Sequence, residues 1–62
     1  MSMPEKYTVG QTWGALKKAW KGYKIAKAQG DKERMKEFAQ KIRTLQEELG
    51  LEKAKFPELG IT

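Results

Sequence analysis

The side chains able to do chemistry in this chain are lysines, carboxylates and hydroxyls. Lys17, Lys18, Lys21, Lys24 and Lys27 crowd one segment that contains no acid. At about 100° per residue, a helix gathers Lys17, Lys21 and Lys24 into a narrow stripe, with Lys18 on its shoulder. Such a stripe can hold phosphates through charge alone. Ile25 falls on the same side, and an apolar residue within a basic face points to a contact surface. The plainer reading is that the lysines solvate the outside of a small bundle, their stems lying over apolar surface. The carboxylates are less suggestive. Glu47 and Glu48 are adjacent and point to different sides of a helix. Glu33 and Glu37 are four apart but sit among Arg34, Lys36 and Lys41, as on a charge-paired solvent face. Ser2, Thr8, Thr12, Thr44 and Thr62 have no histidine to activate them, because the chain has none. It has no cysteine either, which removes disulfides and thiolate metal sites. The glycines form no phosphate-cradling loop, and no segment is oxygen-rich enough for calcium. The residue types therefore predict no enzyme, no cofactor, no metal and no small-molecule substrate.

Those lysines need a helix to align them, and the apolar spacing supplies one. Trp13, Leu16, Trp20 and Tyr23 recur at three, four and three, flanked by Ala19 and Ala26. That period marks one buried helical face. Thr8 through Gln11 fits a capping box, with Thr8 as N-cap and Gln11 reaching back; Thr12 is a later alternative start. Gly10, Gly14 and Gly22 each weaken the helix by up to about 1 kcal/mol against alanine. Tertiary contacts must offset that, and a glycine also permits another segment to come close.

Gln29-Gly30-Asp31 stops the first helix and starts a second. Glycine enters the left-handed conformation beyond a helix end without a Cβ penalty, and aspartate caps the exposed N–H groups of the next helix. So short a connection predicts an antiparallel hairpin. In the second helix Met35, Phe38, Ile42, Leu45 and Leu49 repeat at three, four, three and four, a seam of the coiled-coil type. Gly50 ends it, with Leu51 as the apolar residue of the cap. The turn Ala28 to Asp31 resembles the hairpin of a tetratricopeptide repeat over one repeat length. No second repeat follows, and such arrays need about three, so the resemblance implies no function here.

The predicted fold is all-α: a two-helix hairpin over about 9–29 and 32–49. Residues 1–7 form a flexible lead, 8–50 the hairpin and 51–62 a tail. The predicted core is Trp13, Leu16, Trp20, Tyr23, Met35, Phe38, Ile42, Leu45 and Leu49. Two helices cannot enclose two tryptophans, so the surplus aromatic surface must meet the tail, a second subunit or a partner. In the tail, Phe56, Leu59 and Ile61 lack a helical period. They either fold back, with or without a short extra turn, or wait for a partner.

The net charge is +5. The second helix, the lead and the tail each balance their own charges, so the whole excess lies on the first helix. Sixty-two residues give at most one domain, and so short a chain buries only about 60% of its unfolded surface. Pairing of two hairpins into a four-helix bundle is one remedy. No apolar run reaches the roughly 18 residues of a membrane span, and no leader-like start is evident, so a cytoplasmic location is expected. Absence of asparagine with abundant lysine and glutamate accords with a heat-adapted source. The expected function is a protein–protein interaction module: a regulator, adaptor or inhibitor. Its partner would be a second copy or a larger protein, met through Lys17, Lys18, Lys21, Lys24, Ile25, Phe56, Leu59 and Ile61. The alternative is weak, sequence-independent nucleic-acid binding by the same lysines. A basic helix lying on an anionic membrane is a third reading.

Overall fold

The computed structural model describes residues 9–62. The expected lead and the Thr8 capping box lie outside these residues. Within them the order is α1 (Val9–Gln29), α2 (Lys32–Glu48) and a short 3-10 turn (Pro57–Leu59). The two helices pack against each other as an antiparallel hairpin, and the tail closes on them. Thr12 lies inside α1 rather than at its start.

One device ends each element. Gly30, Gly50 and Gly60 have φ of 71°, 72° and 73°, where only glycine avoids a Cβ penalty. After each, an N–H reaches back to the carbonyl five residues earlier: Asp31 to Ala26 (2.9 Å), Leu51 to Gln46 (2.8 Å) and Ile61 to Phe56 (3.1 Å). This is the Schellman arrangement, and it satisfies carbonyls that a helix end would otherwise leave open. Asp31 works twice. Its N–H closes α1, and its carboxylate accepts from the Arg34 N–H at 3.2 Å to open α2. The hairpin thus turns on a single residue that is cap and start at once.

The core between the helices differs from the expected stripe in register. On α1 the buried residues are Thr12, Leu16, Ala19, Tyr23 and Ala26; on α2 they are Met35, Ala39, Ile42, Leu45 and Gln46. Small residues occupy the centre: Ala19 and Ala26 on one helix, Ala39 on the other, all nearly sealed. With Thr12, Leu16 and Tyr23, Ala19 and Ala26 form a 4-3-4-3 repeat along α1, and Trp13 and Trp20, one residue beyond Thr12 and Ala19, turn about 100° away from that repeat. Trp13 is accordingly 46% exposed rather than core, and Trp20 is only part-buried, flanking the seam. Phe38 and Leu49 are also part-buried at its margin. Gly22 faces Phe38, whose ring occupies the space a Cβ would need.

Phe56 closes the remaining side. It is 4% exposed and belongs to the core. Its ring lies 5.8 Å from that of Trp20 and 5.0 Å from that of Tyr23, while Trp20 meets Tyr23 edge-on at 5.9 Å. The tail therefore folds back, and it does so around a short extra turn.

Candidate functional site

The hairpin has two lateral sides, and they are finished differently. On one side α2 grips the tail. The buried Gln46 amide oxygen accepts from the Ala54 N–H at 2.7 Å, and the Arg43 guanidinium donates to the Ala54 carbonyl at 2.8 Å. Arg43 also donates to the Thr62 carbonyl at 3.4 Å. Both backbone polar groups of one residue, Ala54, are thus held by two side chains three apart on a single helix face. Phe56 then enters between Trp20 and Tyr23. Pro57 opens the turn, and the Phe56 N–H returns to the Ile61 carbonyl at 2.7 Å. Glu58 reaches α1, 3.5 Å from the Tyr23 hydroxyl and 3.8 Å from the Lys27 amine.

The other side carries no tail residue. A trough of about 530 Å³ runs there, floored by Ala15 and Ala19 of α1 and by Leu45 and Phe38 of α2. Gly14 and Gln11 lie toward one end, and Lys18 and Lys41 stand at the margins. A smaller depression of about 160 Å³ continues it past Phe38 to Gly22, Ala26 and Ile25, with Arg34 beside it. Among the described residues no acidic side chain lines either hollow.

The expected contact residues divide between these surfaces. Lys17, Lys18, Lys21 and Lys24 are all exposed. Among the described residues none of the four is paired with a carboxylate. Lys18 borders the trough; by helical angle Lys17 and Lys24 lie on the flank shared with Trp13, and Lys21 lies between. Ile25 is 49% exposed, at the far end of the trough. The tail residues do not join that surface. Phe56 is core, and Leu59 and Ile61 are half-buried against it. The reason is the aromatic surplus: Phe56 supplies the wall that two helices could not.

Several residues matter that the spacing did not single out. Arg43 and Gln46 hold the tail, although both read as ordinary polar positions of a heptad helix. Their signal was placement, three apart and beside the apolar stripe. Lys41 and Arg34 border the trough, seven apart on the opposite side of α2. Glu47 pairs with Lys53 at 3.2 Å. Among the described residues there is no group of three or more acidic side chains gathered as a metal site would require. No helix among them is long and apolar enough to cross a membrane. Comparison of the chain with protein-family models, with curated proteins and with solved structures finds no match.

Proposed function

We propose that this chain is a small, non-enzymatic protein–protein interaction module, a regulator, adaptor or inhibitor, that works through α1. What supports this reading is the apolar surface left on α1 after the core is complete. Among the described residues, Trp13 and Ile25 are two of three large exposed apolar side chains, and both lie on that helix with Lys17, Lys18, Lys21 and Lys24, none of which is paired there with a carboxylate. Trp is among the residues most often dominant at interfaces. The tail takes a supporting role, because Phe56 is spent on the core.

The test is affinity capture from host lysate after nuclease treatment, with the wild-type chain beside a Trp13→Ala variant and an Ile25→Asp variant. The expected result is a discrete protein retained by the wild type and lost by at least one variant. Identical recovery by all three baits would overturn the reading. A second reading, sequence-independent nucleic-acid binding, draws on the exposed Lys17, Lys18, Lys21 and Lys24. It requires association with duplex or single-stranded DNA that weakens steeply with salt, and no binding at low salt removes it.

A further inference from the structure

The trough on the tail-free side has an apolar floor, cationic margins and, among the described residues, no acid. A small molecule is a poor occupant. Such ligands are fixed by a few polar groups converging in a concave site, and among the described residues no buried side-chain nitrogen or oxygen is left without a partner. The hollow instead follows the seam between two helices. From Gln11 to Ile25 it extends along α1 for about 21 Å, the length of about four helical turns. Ala15 and Ala19 keep the α1 wall of the larger hollow low, while the Phe38 ring covers Gly22 beyond it, so a third helix can seat along Ala15 and Ala19 in the manner of helix-in-groove recognition.

Charge decides which helix. The margin residues are Lys18 on α1, and Arg34 and Lys41 on α2. A second copy docking trough to trough would bring these cations together, and like charges juxtaposed across an interface oppose association. A helix with carboxylates along both edges of its apolar face meets attraction at every margin position. We propose that the tail-free trough is a docking site for an acidic amphipathic helix of a partner protein, an inference that rests on the interaction reading above. The two α2 cations are seven residues apart, two helical turns. The edge of the partner helix facing α2 should therefore carry two acids at the same separation, and its other edge one acid opposite Lys18.

The test uses the full chain against a displayed library of amphipathic helices, with an alanine–leucine face and both edges randomised. Enriched helices should carry Asp or Glu at edge positions seven apart. In 15N-labelled protein they should shift the amides of Ala15, Lys18, Ile25, Phe38 and Lys41. The Arg34→Glu/Lys41→Glu double variant, checked for an unchanged helical spectrum, should weaken them by about tenfold or more at low salt. Three outcomes overturn the proposal: no enrichment, enrichment without acids, or shifts centred on Trp13, Lys17 and Lys24. A concentration-dependent dimer whose interface maps to the trough also overturns it, in favour of self-association. Lysate capture separates the two levels. A protein whose retention depends on Trp13 but not on Arg34 and Lys41 would sink this site and leave the interaction reading standing.

Discussion

The tail side and the trough side flank the same seam, yet one is sealed and the other open. The difference lies in what α1 and α2 present to each. Toward the tail they offer Trp20, Tyr23, Arg43 and Gln46: two aromatic faces and two hydrogen-bonding side chains. Toward the trough they offer Ala15, Gly22, Phe38 and a line of cations. Rings with polar anchors can fix an irregular segment, because the anchors satisfy its backbone. Small residues with charged margins offer no such anchors and suit a preformed element whose own backbone is already bonded. The hairpin closes one side on its own tail and leaves the other open.

The largest test of that contrast is Phe56→Ala. Removing a buried phenylalanine costs about 3–5 kcal/mol. A chain of this size is stable by only about 3–9 kcal/mol in all. The variant should lose most of its cooperative melt by circular dichroism, and Trp20 fluorescence should move toward that of a solvated indole. A melt within a few degrees of wild type would mean that the tail decorates the hairpin rather than completing it.

Gln46→Ala comes next. It leaves the Ala54 N–H without its acceptor in a part-buried site, at a cost of about 1–3 kcal/mol. Arg43→Met tests the other half of the grip. A double-mutant cycle should show coupling between the two, because both hold the backbone of the same residue, Ala54. Additivity in urea denaturation would mean that the two bonds act separately.

The glycines sharpen the comparison by sign. Nothing lies within 4 Å of a Cβ at Gly14, whereas at Gly22 the Phe38 ring already fills the place. Gly14→Ala should stabilise by up to about 1 kcal/mol through helix propensity. Gly22→Ala gains the same term and must displace the ring, for a net loss of about 1 kcal/mol. Thermal melts of the pair should move in opposite directions. Phe38→Leu in the Gly22→Ala background should recover part of the loss.

Much of this frame was legible in the residues, and the illegible part has a physical cause. Gly30-Asp31 and the stop at Gly50 are local signals, set by φ preference and capping, and they appear where expected; of the α2 seam, Met35, Ile42 and Leu45 are buried while Phe38 and Leu49 sit at its margin. The rotation of the α1 stripe was not local. Trp13 has the right spacing for a core residue, but the seam runs through Thr12 and Ala19, one position earlier than Trp13 and Trp20, and which of two overlapping stripes is buried depends on both helices at once. Phe56 was readable as apolar surface seeking cover, while its destination depended on Trp20 and Tyr23 more than thirty residues earlier. The trough was least visible. It forms where Ala15 and Ala19 of α1 leave space beside Phe38, Lys41 and Leu45 of α2, and periodicity counts only large side chains.

The smallest expected effect concerns Glu58, which joins the tail to α1 through the Tyr23 hydroxyl and the Lys27 amine. Both ion-pair side chains are more than half exposed, and their separation is 3.8 Å. Exposed pairs of this kind contribute about 0.5 kcal/mol or less after side-chain entropy and solvent screening. Glu58→Gln removes the charge and keeps an acceptor for Tyr23, so it isolates the ionic part. The melting temperature should fall by no more than a few degrees, since about 1 kcal/mol moves a domain this small by about 4–8 °C. The difference should vanish near 1 M salt, where the screening length is about 3 Å. A larger loss that survives high salt would place the Tyr23 contact, rather than the charge, at the tail's edge. The sealed side would then depend on aromatic and hydrogen-bonding groups alone, leaving charge as a property of the open side.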